Sequence, residues 1–134
     1  MIWVGTRQQL SKVNATELVL LSADVRFSTA VSDLDVLIDR QLTMSDHVAS
    51  VCRSCFFQLR LVRGSLTLDE VNTLVNAFIS SRLVYCNSLL VGVSGDVLNR
   101  LQSVHNAAAR MVTGKRKYDH ITPVLRGLHW LPIR

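Results

Sequence analysis

Ser45-Asp-His-Val-Ala-Ser-Val-Cys-Arg-Ser-Cys-Phe-Phe-Gln-Leu-Arg-Leu-Val-Arg-Gly64 is the stretch that decides the fold class. Its apolar residues are Val48, Val51, Cys52, Cys55, Phe56, Leu59 and Val62. Spacings of three and four place them on one face of a helix. Ser45 is the expected N-cap, and Gly64 suits the left-handed stop. A one-sided helix must pack on something, so the chain needs partner elements for it.

The flanking sequence supplies them. Downstream, Thr67-Leu-Asp-Glu70 reads as a capping box. The helix it opens carries Val71, Leu74, Val75, Phe78, Ile79, Tyr85, Cys86 and Leu89, and ends near Gly92. A third helix is expected from Ser94 or Gly95, with Val97, Leu98, Leu101, Val104, Ala108, Met111 and Val112 on its apolar face and Gly114 as its stop. Thr122-Pro123 reads as an N-cap followed by proline at the first helical position, opening a short helix to about His129. Upstream, short runs read as strands. Met1–Val4 is an apolar run, Glu17–Leu21 is rich in strand formers, Asp24–Phe27 alternates, and Leu34–Ile38 is a further candidate. Ala23-Asp24 is the expected turn between the second and third runs, and antiparallel hairpins are the economical connection. The predicted class is therefore α+β: hairpins over residues 1–44, then a helical bundle over residues 45–134.

The 134 residues are 49% hydrophobic and 19% charged, which argues against disorder. The net charge of +5 is unevenly placed. Residues 1–50 hold four basic and six acidic side chains; residues 51–134 hold eleven basic and four acidic ones. A basic C-terminal part points to an anionic partner, nucleic acid being the commonest, although a soluble helical domain that is merely basic fits the charge equally. No membrane partner is expected, since no stretch approaches a bilayer span. The absence of a leader pattern and the odd count of three cysteines predict an intracellular protein, cytoplasmic or nuclear, rather than a secreted one.

Most sites that might carry chemistry read as structure. Asp33, Asp35 and Asp39 would share one face of a strand, as a cation site requires, but Asp33 and Asp39 flank an apolar run as strand ends do. Cys52-x-x-Cys55 with His47 upstream lacks a second ligand pair, and both cysteines fall on the apolar helix face. No nucleophile elbow and no P-loop is present. His105, His120 and His129 have no ligand spacing. No catalytic residue, metal ligand or cofactor is therefore expected in this chain. The basic residues are more informative. Arg53, Arg60 and Arg63 form a stripe on the first helix, Arg100 and Arg110 lie on the third, and Lys115-Arg116-Lys117 forms a positive knob beside Tyr118. Such a surface grips phosphates without reading sequence, and the tyrosine can stack on a base or sugar.

Three long strings resemble one family. They are Leu74-Val-Asn-Ala-Phe-Ile-Ser-Ser-Arg-Leu-Val-Tyr-Cys-Asn-Ser-Leu-Leu90, Leu98-Asn-Arg-Leu-Gln-Ser-Val-His-Asn-Ala-Ala-Ala-Arg110 and His120-Ile-Thr-Pro-Val-Leu-Arg-Gly-Leu-His-Trp-Leu-Pro-Ile133. Together they resemble the region downstream of the active site in LINE-type (non-LTR, jockey-like) retrotransposon reverse transcriptases. Ile2-Trp-Val-Gly5 is similar to the strand after the active-site hairpin. Ser32-Asp-Leu-Asp-Val-Leu-Ile-Asp39 is similar to the segment around the primer grip, with Leu34, Asp35 and Val36 at its centre. The family usually has glycine where Asp35 stands, often Asp at Val84, and Leu-Pro at Val93-Ser94. These departures fit drift in a decaying element copy.

The resemblance implies that residues 1–44 are the end of a palm and residues 45–134 a thumb-like region. The chain would be a truncated fragment of an RNA-directed DNA polymerase, a reading that the apolar cluster Leu128, Trp130, Leu131 and Ile133 near its end also suggests. The parent enzyme would use magnesium held by aspartates of a Tyr-x-Asp-Asp motif. This sequence contains no Asp-Asp pair, so the family's activity does not carry over. What carries over is substrate positioning: RNA–DNA hybrid or RNA on Arg53, Arg60, Arg63, Arg110 and Lys115–Lys117, with the rest of the polymerase as a partner where present. The alternative is a helical protein-interaction module, exapted from the element, with no nucleic-acid role. In either case exposed apolar surface would favour self-association. A reading frame never made as a stable protein is the third possibility.

Overall fold

The computed structural model describes residues 1–64, 66–85 and 87–133. The class is α+β: two small antiparallel hairpins precede the main helices. The chain divides into two compact units, residues 1–47 and 48–134, and the division falls just inside the first long helix.

In the first unit a short helix, α1 (Arg7–Leu10), opens on a capping box between Thr6 and Gln9. Strands β1 (Glu17–Leu20) and β2 (Ala23–Arg26) form the first hairpin, with Leu20 opposite Ala23. The turn is thus Leu21-Ser22, and Ala23-Asp24, expected to be the turn, belongs to the strand. Leu21 takes φ 57° and is fully exposed. Strands β3 (Ala30–Asp33) and β4 (Val36–Asp39) form the second hairpin. Leu34 and Asp35, expected to begin a strand, are its two turn residues, with φ 45° and 65°. Two successive left-handed residues are what a type I′ hairpin turn demands. The run Met1–Val4 contributes a single parallel bridge, Ile2 to Ser28, and Trp3 stacks on Phe27 with centroids 5.0 Å apart.

The second hairpin is secured at its base. The Asp39 carboxylate accepts the backbone N–H groups of Gln41 and Thr43 at 2.9 and 3.1 Å and the Thr43 hydroxyl at 2.9 Å. The Leu37 N–H donates to Nδ1 of the buried His47 at 3.2 Å.

Helix α2 (Ser45–Val62) starts at Ser45 itself rather than being capped by it; the Ser45 N–H donates to the Thr43 hydroxyl. Helix α3 (Leu68–Leu74) follows the expected capping box, in which Glu70 accepts the Thr67 N–H and hydroxyl at 2.8 and 2.9 Å. It runs into a π-helical segment, Val75–Ser80, then α4 (Ser81–Val84), then a 3-10 turn, Asn87–Leu90. One continuous helix to Leu89 was expected. The break falls at Tyr85, whose backbone is extended (ψ 128°). The π turn has a packing cause. Val71, Val75, Ile79 and Leu83 are all buried, each four residues from the next. A strict four-residue repeat drifts about 40° per step around a 3.6-residue helix. A wider turn in the middle keeps the row facing inward. Phe78, Tyr85 and Leu89 are consequently exposed although expected inside, and Leu83 takes an inner place. Cys86, expected on the same apolar face, lies outside the described residues.

Helix α5 (Gly95–Thr113) is the spine of the second unit, with Val97, Leu101, Val104 and Ala108 buried in one cluster with Val48, Cys55 and Leu59 of α2 and the row just described. Gly114, at φ 66°, ends it: its N–H reaches Met111 O, and the Lys115 N–H reaches Arg110 O. That pair of bonds is a Schellman stop. Helix α6 (Ile121–Gly127) has His120 at its N-cap position, with no side-chain capping bond, so Pro123 is its third residue and not its first. Proline is still tolerated there, because the first four helical N–H groups have no partner within the helix. Val124 and Leu125 pack on Ala109 of α5, with Ile121, Leu128 and Trp130 around them. A second Schellman stop follows, with His129 in the left-handed position (φ 56°): its N–H reaches Arg126 O, and the Trp130 N–H reaches Leu125 O.

Candidate nucleic-acid interface

The cations gather in two places on the second unit. On α2, Arg53 and Arg60 are exposed, seven residues apart on the outer side of the helix. Arg63 is exposed in the turn just beyond it. The outer side is not purely polar. Phe56, expected inside, is 41% exposed, Phe57 is 60% exposed and Leu61 58% exposed. Neighbouring residues on a helix lie about 100° apart, and Phe57 falls on the side opposite the buried Val48, Cys55 and Leu59. That signal was present in the sequence, and Phe57 and Leu61 were missed.

The second place is the turn between α5 and α6. The Schellman stop at Gly114 throws Lys115–Lys117 clear of the helix, and all three are exposed. Asp119 shapes the turn by accepting the Arg116 N–H at 2.7 Å, and its own N–H donates to Arg116 O. The side chain of Arg110 reaches the Asp119 carbonyl at 3.4 Å. Arg110 is half-buried and braces the knob from the last turn of α5. Tyr118 is 90% exposed, with the Lys117 ammonium 6.0 Å from its ring centroid.

Three of the four carboxylates of this unit lie away from these cations, and the fourth, Asp119, lies in the knob's own turn. In residues 48–134 the acids are Asp69, Glu70, Asp96 and Asp119. The first two sit in the first turn of α3 and the third in the first turn of α5, where the helix dipole favours them. Asp119 sits in its turn. Hydrogen bonds from the Thr67 backbone and hydroxyl hold the Glu70 carboxyl below its ordinary range. Among the described residues no carboxylate forms an ion pair with the side chains of Arg53, Arg60, Arg63 or Lys115–Lys117, although Asp119 accepts the Arg116 backbone N–H.

Leu34, Asp35 and Val36, expected to resemble a primer grip, belong to the first unit. Leu34, 80% exposed, and Asp35 form the hairpin tip, and Val36 is buried. Asp33 and Asp35 stand at that tip while Asp39 stands at the base, so the three do not converge. Among the described residues no group of three His, Cys, Asp or Glu side chains is placed to hold a metal ion. Cys55 is fully buried, and burial with the neighbouring Cys52 pushes its thiol up to about 11 despite the Arg82 guanidinium. Burial raises Cys52 as well, against the pull of Arg100. Thiols so held stay protonated near neutrality and pack as small apolar groups. His47 is committed to the Leu37 N–H. Burial lowers its pKa, and the opposing influence of Asp35 does not restore it. No helix among the described residues is long and apolar enough to cross a membrane.

No family model, curated protein or solved structure matches the chain.

Proposed function

We propose that the chain is a remnant of a LINE-type reverse transcriptase whose helical unit binds RNA or an RNA–DNA hybrid and performs no catalysis of its own. The three strings quoted above support the ancestry. The observation that carries the binding role is the separation of charge: three carboxylates occupy helix starts and the fourth, Asp119, is bonded to the backbone of the knob turn, so the side chains of the α2 arginines and of Lys115–Lys117 have no ion-pair partner among the described residues. Cations without partners release counterions from a phosphate backbone when they bind it. Arg110 supports this surface from behind. The absence of any Asp-Asp pair supports the non-catalytic reading.

The test is affinity for a labelled RNA–DNA hybrid and for RNA across a salt series. Replacing Lys115, Arg116 and Lys117 by Glu should weaken binding and reduce the salt slope by about one for each phosphate that is no longer neutralised. Unchanged affinity and slope remove the knob from the interface.

A second reading, a helical interaction module, is favoured by the exposed apolar side chains of Phe78, Val84, Leu89 and Val91. Size-exclusion chromatography with and without hybrid separates the two. Self-association that added hybrid leaves untouched supports the module.

A further inference from the structure

We infer that the outer face of α2 is a stacking platform for single-stranded nucleic acid, distinct in substrate from the Lys115–Lys117 knob. The inference rests on the nucleic-acid reading above and narrows it. Phe57 is 60% exposed in the middle of a well-formed helix, with Phe56 beside it at 41%. Arg53 lies four residues before Phe57 and Arg60 three residues after it, so both are its surface neighbours. The two guanidinium-bearing positions are about 10 Å apart along the helix axis, with the ring between them. The only acid on α2 is Asp46 in its first turn, and the next in the chain is Asp69. Asp46 is exposed two turns before Arg53 on the same side of the helix, so the acid stands at the N-terminal end of the face, and between Arg53 and Arg60 the helix carries cations and aromatic rings with no carboxylate.

The chemistry selects the form of the ligand. A duplex presents phosphates and groove edges, and its bases are already stacked on one another. Lysines and arginines serve it; an exposed phenyl ring gains little from it. An unpaired strand has free base faces, and a ring flanked by arginines gives each base a surface and each neighbouring phosphate a cation. Stacking of this kind is tolerant of sequence, because every base has a π-face. The knob lacks this arrangement: its three cations are consecutive, and its one ring, Tyr118, lies beside Lys117. The α2 face thus takes unpaired RNA or DNA, and the knob takes backbone of either form.

The experiment compares a labelled 12-nucleotide single-stranded RNA with a blunt RNA–DNA hybrid of the same sequence, by fluorescence anisotropy on the full chain. Phe57→Leu keeps an apolar side chain on an exposed site and spares the fold. It should weaken single-strand binding about tenfold and leave the hybrid unchanged. Phe57→Tyr, which keeps the ring, should restore it. Arg53→Gln with Arg60→Gln should flatten the salt dependence for the single strand. Equal loss on both ligands, or no loss on either, overturns the platform. The nucleic-acid reading survives that result if charge reversal of Lys115–Lys117 still weakens hybrid binding. If the wild-type chain binds neither ligand, both readings fall. Sedimentation of the same variants covers the remaining outcome: dissociation of a dimer by Phe57→Leu with RNA affinity unchanged makes the face a protein-binding surface and overturns the inference.

Discussion

Trp130 lies over His105, with ring centroids 4.9 Å apart and planes 19° from parallel. The imidazole is buried on α5, and its Nδ1 has no hydrogen-bond partner among the described residues. The chain beyond α6 is held to α5 here and again three residues earlier along the helix, where the Ile133 N–H donates to Oε1 of Gln102 at 2.7 Å. The side-chain amide of Gln102 donates in turn to Asn106 at 2.7 Å. Together the stacked rings and the hydrogen bond secure the last apolar segment on the spine of the unit.

Burial depresses the His105 pKa below its ordinary value, so the native state keeps the ring neutral. The unfolded chain takes up a proton near pH 6.5 while the folded one resists. Stability contributed by the neutral ring is complete above about pH 6.5 and is lost as pH falls toward the lower, folded value. Denaturant unfolding followed by Trp130 emission should show a lower midpoint at pH 5 than at pH 7.5. His105→Phe keeps a ring under Trp130 and should flatten that dependence. A pH response unchanged in the variant assigns it elsewhere, His47 being the other histidine lowered by burial.

Asp39 has the opposite chemistry and sits at the base of the second hairpin. Burial pushes its carboxyl upward, but hydrogen bonds from Thr43, Gln41 and Met44 outweigh that and hold it below its ordinary value. Its contribution is present above the unfolded value and is lost as pH falls through the folded one. Asp39→Ala leaves the Gln41 and Thr43 donors unpaired. It should cost about 1–3 kcal/mol in the first unit, read by urea unfolding through Trp3 emission. A loss confined to Trp130 would contradict the assignment.

Leu34 and Asp35 carry a steric cost at the tip of the β3–β4 hairpin, both at positive φ with a Cβ. The sequence Asn-Gly suits a type I′ turn best. Leu34→Asn with Asp35→Gly should therefore stabilise the first unit by about 1–2 kcal/mol, seen as a higher urea midpoint. A lowered midpoint would show that Asp35 contributes more through its charge than it loses through its backbone.

His129 closes α6 in the position that glycine favours, at φ 56°. The same bonding pattern closes α5 with Gly114. His129→Gly should raise the thermal midpoint of the second unit, with a gain of about 1 kcal/mol, since the side chain is exposed and its loss removes little packing. A neutral or negative result would show that the imidazole makes an interaction that offsets the strain.

The sequence makes α2, α3 and α5 legible because amphipathic spacing and punctuation agree there: an apolar face, a capping box at Thr67, glycines at 64 and 114. It was less informative where two signals compete. Leu34 is apolar and reads as strand, yet a two-residue turn must fall between Asp33 and Val36 for those residues to stand opposite each other in the ladder. Thr122-Pro123 reads as a helix start, yet helix geometry accepts proline anywhere in the first turn. The Thr6-x-x-Gln9 capping box was there to be read, but a one-turn helix has no periodicity to draw attention to it. The π segment is visible only when the four-residue row is traced as far as Leu83. In the candidate interface the exposed cations were legible residue by residue. The bracing role of Arg110 was not, because it depends on a carbonyl nine residues away.

The placing of the four carboxylates has a thermodynamic consequence for the helical unit. Its eleven basic side chains are only partly offset by four acidic ones, so mutual repulsion takes part of the free energy of the native state. Dissolved salt, or a polyanion lying across the surface, relieves that repulsion and favours the compact form over the open one. The phosphates of a bound strand would then act as ballast that the amino-acid sequence itself does not supply, making occupancy and folding two readings of one equilibrium.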